Sequence, residues 1–157
     1  MIIQPTYASH TEPRKLPRAQ TPMSKMGLRF EQNVARNLTA HRPPNTTITR
    51  NPWFEYLAGA STDLQYCCPD ILVESETFPD FLIVIEIKRT WTRLAQAKLR
   101  ELYVPVISLA TGRPVKPLVI VNLMTPEAPM PQPTISFALS TSDPLIQFLG
   151  RAPIRWT

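Results

Sequence analysis

The sequence predicts an α/β (α+β) fold, with a central mixed sheet of four to five strands flanked by helices. Three observations carry that expectation. Residues 81–87 are apolar at alternate and intervening positions alike, as a strand covered on both faces is, and 117–123 read as a second buried strand. A helical stretch lies between them, and such a stretch permits a parallel crossover. Ahead of them come a helix and two segments rich in β-branched and aromatic residues, so the first three strands can form a meander.

The elements follow in order. Residues 1–23 contain Pro5, Pro13, Pro17 and Pro22 and show no apolar periodicity. They read as an extended, mobile arm on a single domain of residues 24–157, so removing the arm should barely move the thermal transition. Ser24 is placed to cap a helix running to about Ala40, in which Met26, Phe30, Val34 and Leu38 form one apolar stripe. Pro43-Pro44 ends it. Residues 46–56 and 65–73 read as the first two strands and 81–87 as the third. Residues 91–109 read as a helix with Leu94, Ala97, Leu102 and Val106 on one side and a kink or restart at Pro105. Residues 117–123 form the fourth strand, and prolines make 125–133 a loop. A last strand at 135–139 and a short helix at 144–149 complete the expectation.

Composition narrows the class. The 157 residues are 43% apolar, which suits one globular domain. The longest apolar run, 81–85, is far too short to cross a bilayer, and no membrane partner is expected. The first residues lack the charged-then-apolar layout of a secretory signal. Adjacent Cys67 and Cys68 make neither a disulfide framework nor a four-ligand zinc site. These features predict a cytoplasmic protein, in host cytoplasm if the source is viral. Lys and Arg number 17 against 12 acids, a net +5. Residues 1–50 hold eight of those bases and two acids, so they carry +6 and the remainder −1. That asymmetry points to a polyanion, with Arg14, Lys15, Arg18, Lys25, Arg29, Arg36, Arg42 and Arg50 as candidate phosphate contacts. A solvated basic tail is the plainer alternative.

The end of the third strand carries the chemistry. Glu86 and Lys88 alternate with Ile87, so they share the face of Leu82 and Val84. Charges carried so far into an apolar strand must be paired or bind metal. Asp70 opens a neighbouring apolar strand, Ile71-Leu72-Val73, and a hairpin through 75–80 can bring it to Glu86. Two carboxylates forced together repel unless a cation lies between them, and oxygen ligands of this kind suit Mg²⁺ or Mn²⁺. Lys88 can then orient or deprotonate a water, or steady charge on a phosphate.

Pro69-Asp70, fifteen intervening residues and then Glu86-Ile87-Lys88 resemble the PD-(D/E)XK motif of the restriction-endonuclease-like nucleases. The resemblance covers about residues 24–123 and implies a restriction-endonuclease-like core. It assigns Asp70 and Glu86 to metal, with the Ile87 carbonyl as a further ligand, and Lys88 to the attacking water. Glu31, on the first helix, matches the acid that many members add to the site. Gln96 or Lys98 with Tyr103 is faintly similar to the Gln and Tyr of some branches, although the spacing differs from Gln-x-x-x-Tyr. The short chain looks more like the Holliday-junction-resolvase-like and phage-type members. Lys98 joins the candidate phosphate contacts, beside a reading as a solvated helix charge.

The expectation is therefore a metal-dependent DNA endonuclease contacting the phosphate backbone, with branched DNA as a candidate substrate. Cutting paired strands would call for a homodimer. The rivals are an exonuclease or a repair or transposition nuclease of the same fold, and a non-catalytic nucleic-acid-binding or assembly protein. Trp53, Phe54 and Tyr56 can stack on bases but read better as core. Four glycines form no phosphate loop, and His10 and His41 supply no nucleophilic triad.

Overall fold

The computed structural model describes residues 1–15, 22–40, 42–90 and 92–123. Arg18 and His41, the loop at 125–133 and the expected elements at 135–139 and 144–149 lie outside that set.

Two prolines decide where the chain changes sheet. The run read as one strand over 46–56 is broken at Asn51-Pro52 into β2 (Thr46–Arg50) and β3 (Phe54–Ala58). The run over 65–73 is broken at Cys68-Pro69 into β4 (Gln65–Cys67) and β5 (Ile71–Ser75). Proline offers no backbone donor to a ladder, so pairing stops at each. β2 and β5 pair with each other, and β5 pairs antiparallel with β6 (Leu82–Thr90). β7 (Val115–Leu123) lies parallel to β6, which completes a mixed four-stranded sheet ordered β2–β5–β6–β7. The parallel crossover expected from the sequence is present, and the expected meander survives as the antiparallel order β2–β5–β6, with β3 and β4 diverted between its first two strands.

The other pieces form a second sheet, which the sequence did not foretell. β1 (Pro5–His10) pairs antiparallel with β3, and β3 with β4. Residues 5–10 are thus a strand and not part of a mobile arm. The reason lies in the helical segment after β6, where α2 (Arg93–Lys98), a π-helical turn (Leu99–Tyr103) and α3 (Val104–Thr111) run on without a break. Pro105 cannot donate to the Glu101 carbonyl, as a residue four positions on in an α-helix would. That carbonyl accepts instead from the Ile3 N–H at 2.8 Å, which ties down the N-terminal segment.

α1 (Pro22–Ala40) begins at Pro22, two residues before the predicted cap, using the position where a missing N–H costs least. Its Phe30, Val34, Ala35 and Leu38 pack on one face of the large sheet against Ile71, Val73, Ile83, Ile85 and Ile87. Met26, predicted in that stripe, is 46% exposed, and its Sδ lies 3.5 Å from Arg89 Nη1. The other face buries Leu72, Leu82 and Val84 against Leu99, Tyr103, Val106 and Ile107, with Phe54, Tyr56 and Cys67 of the small sheet beyond. Phe54 and Tyr56 are therefore core, as read. Leu94 is not: it stands 80% exposed on α2. The molecule is an α+β protein whose mixed four-stranded sheet is flanked by helices on both faces.

Candidate active site

The β5–β6 register sets Ile71 opposite Ile85. One residue further, at the end of the pairing, Asp70 and Glu86 come together. Beyond that point β6 continues beside β7 but has lost β5, so its N–H groups on that side need other partners. The Asp70 side chain supplies one, its Oδ2 accepting from the Ile87 N–H at 2.6 Å. By alternation Glu86 and Lys88 share the face of Leu82 and Val84, the one opposite α1, and Glu31 of α1 nonetheless reaches Lys88 beyond the end of β5.

Lys88 links the group. Its ammonium lies 2.8 Å from Glu86 Oε1, 3.6 Å from Glu31 Oε1 and 3.9 Å from Asp70 Oδ2. All four residues singled out by sequence are thus brought together. Glu86 is only 1% exposed, and its Oε2 is buried without a hydrogen-bond partner among the described residues. A carboxylate oxygen left so is costly unless a cation approaches it.

Lys98, read from the sequence as a candidate phosphate contact and, with Tyr103, as faintly similar to the Gln and Tyr of some branches, joins the cluster through Glu86. Lys98 puts its ammonium 3.7 Å from Glu86 Oε1 and 4.8 Å from the centre of the Tyr103 ring. Five positions apart, Lys98 and Tyr103 would diverge on an α-helix, whereas the π-helical turn returns them to one side. Tyr103 is fully buried and its hydroxyl donates to the Cys68 carbonyl at 3.0 Å, pinning the segment before Asp70. The sequence signal was Pro105, which disturbs the helical period just downstream.

Electrostatics follow from this crowding. Burial, then the Glu86 charge, pushes Asp70 up to about 7, against the opposing pull of Lys88 and the Ile87 N–H. Burial also raises Glu31, partly offset by Lys88. Burial alone would pull Lys88 down, but Asp70, Glu86 and Glu31 outweigh it and hold the ammonium above its usual value. Lys88 is therefore a donor at neutral pH, suited to orienting a water and not to deprotonating one. Burial and then Asp70 push the Cys68 thiol up to about 11, and burial pushes Cys67 to about 12. Both stay protonated and are poor ligands.

Next to this cluster, between α1 and the sheet end, a cavity of about 150 Å³ is lined by Leu28, Glu31, Gln32, Ala35, Arg50, Asn51, Cys68, Asp70 and Ile87. Glu86 and Lys88 are not part of its wall. Among the described residues no three His, Cys, Asp or Glu side chains are drawn into a ready-made metal cage. The centre of the carboxylates is held by the Lys88 ammonium. The donor set nevertheless fits a hard divalent ion: three carboxylates, one with a buried oxygen lacking a partner.

The remaining candidates are dispersed. Lys25, Arg29 and Arg36 are exposed along α1, Lys15 is exposed near the N-terminus, and Arg14 stacks over the Tyr66 ring at 3.9 Å. No helix among the described residues is long and apolar enough to cross a membrane.

The fold and this corner define an α+β protein with a carboxylate–lysine cluster at the open end of a mixed sheet. No protein-family model, curated protein or solved structure matches the chain.

Proposed function

We propose that the chain is a metal-dependent DNA endonuclease of the restriction-endonuclease-like kind, hydrolysing phosphodiester bonds. The observation that carries this reading is the meeting of Glu31, Asp70, Glu86 and Lys88 at one corner of the sheet. The order helix, antiparallel β2–β5–β6, crossover helix, parallel strand supports it.

Asp70 and Glu86 would hold Mg²⁺ or Mn²⁺, with Glu31 and the Ile87 carbonyl as the further donors the resemblance implies. Such an ion supplies Lewis-acid polarisation of the phosphate and a lowered water pKa. Lys88, charged and hydrogen-bonding, aims the attacking water and offsets charge growing on the phosphate oxygens. Lys98 shares the Glu86 carboxylate, so Glu86 remains charge-compensated when Lys88 turns to substrate. The exposed bases of α1 meet the phosphate backbone.

A second reading has its own observation. Lys88 and Lys98 already neutralise Glu86 without a metal, as they would in a nucleic-acid-binding or assembly protein that keeps the cluster for structure alone. Incubation with supercoiled, linear, single-stranded and four-way-junction DNA, in Mg²⁺ or EDTA, separates the two. The nuclease reading expects Mg²⁺-dependent cutting that Asp70→Asn abolishes while DNA binding survives. Cutting from linear ends alone would make it an exonuclease. Binding without cutting by the wild type would favour the second reading, and equal cutting by Asp70→Asn would move the chemistry elsewhere.

A further inference from the structure

The cavity beside the carboxylates is lined by polar groups as well as acids. With Glu31 and Asp70, its lining includes Gln32 of α1, and Arg50 and Asn51 where β2 ends. Arg50 pairs with Ile71 across the ladder and so shares its face, the one covered by α1. Its side chain is exposed and forms no ion pair with any described residue, though acids lie nearby. Asn51 sits in the left-handed region at φ 47°, directly before Pro52. Asparagine tolerates that conformation better than most residues, but a following proline restricts it further. The Asn51 N–H donates to the Asp70 carbonyl at 2.9 Å, which fixes the turn to the strand carrying the acid.

Two acids and three residues with amide or guanidinium side chains thus line one small space. The acids alone would repel an anion, and the donors answer that. We propose that Arg50, aided by Gln32 and Asn51, seats a non-bridging oxygen of a nucleic-acid phosphodiester in this cavity. The substrate backbone then enters between α1 and the β2–β3 turn. This rests on the nucleic-acid reading above and adds the route and the residue that reads the phosphate.

The test is fluorescence anisotropy of a short labelled DNA duplex and of its single strand, in EDTA, across a KCl titration. Arg50→Gln should bind roughly tenfold more weakly at low salt, with a log–log salt slope shallower by about one. Arg50→Lys should regain the slope. Lys116→Gln is the control for charge at a distance, since Lys116 pairs with Ile83 towards the far end of β6, and it should leave the slope unchanged. An unchanged slope in Arg50→Gln, or no binding of either DNA by the wild type, would overturn the seat. If Arg50→Gln keeps its slope while the wild type cuts DNA with Mg²⁺, the seat fails and the nuclease reading stands. If the slope drops in a protein that never cuts, the seat stands and the nuclease reading fails.

Discussion

Asp70 is the residue on which stability and the proposed function pull in opposite directions. Unfolded, it releases its proton near its ordinary value of 3.8, whereas in the fold it holds the proton up to about 7. The folded state binds more protons across that window, so the stability of metal-free protein falls as pH rises from about 4 to 7 and then levels. Asp70→Asn should flatten this fall and gain roughly 2–3 kcal/mol at pH 8. Urea denaturation in EDTA at pH 5 and pH 8 measures both, and a loss of stability at pH 8 would contradict the account. Lys88 behaves oppositely. Lys88→Ala leaves the buried Glu86 with Lys98 alone and should cost roughly 3 kcal/mol. Adding Glu86→Gln should restore most of that loss, which a double-mutant cycle on the same curves will show. Glu86 and Lys88 were legible in the sequence because alternation along a strand is a strict period, and Asp70 because it opens the neighbouring apolar strand, whereas Glu31 rested on the motif resemblance alone. The place of Lys98 was not legible, because it depends on a π-helical turn that a 3.6-residue period does not contain.

Among the elements, the N-terminal strand departs most from expectation. Composition marks residues 1–23 as an arm, yet Pro105 leaves a carbonyl open on the distant helix and Ile3 fills it. A dependence between positions so far apart has no local pattern to betray it. The strand breaks at Pro52 and Pro69 had one, since proline was visible inside both runs. Their consequence, a switch between sheets, was not, because it takes the partner strands to reveal it. Removing residues 1–10 should therefore lower the thermal midpoint by roughly 4–10 °C, where the arm reading expected almost no change. Pro105→Ala gives the helix a competing N–H for Glu101, so the Ile3 amide should exchange with solvent faster. Hydrogen exchange followed by mass spectrometry reads this, and unchanged protection at Ile3 would mean that the strand is held by its pairing with β3 alone.

Over the whole molecule, charge is divided as the fold is. The exposed bases Lys25, Arg29 and Arg36 lie on the helix whose Glu31 faces the cluster, so attraction for a polyanion and the acidic corner sit side by side. Replacing the three bases with alanine should make the salt slope of DNA binding shallower by about 2–3 and leave the thermal midpoint nearly unmoved. Arg14, stacked on Tyr66, should contribute less to that slope than its charge implies. The account as a whole depends on divalent-ion binding at the carboxylate corner. Calorimetric titration of Mn²⁺ into the wild type, Asp70→Asn and Glu86→Gln, each checked for folding by circular dichroism, tests that directly. The wild type should bind Mn²⁺ and each variant should bind at least about tenfold more weakly; equal affinity in all three, or no binding by the wild type, would contradict it.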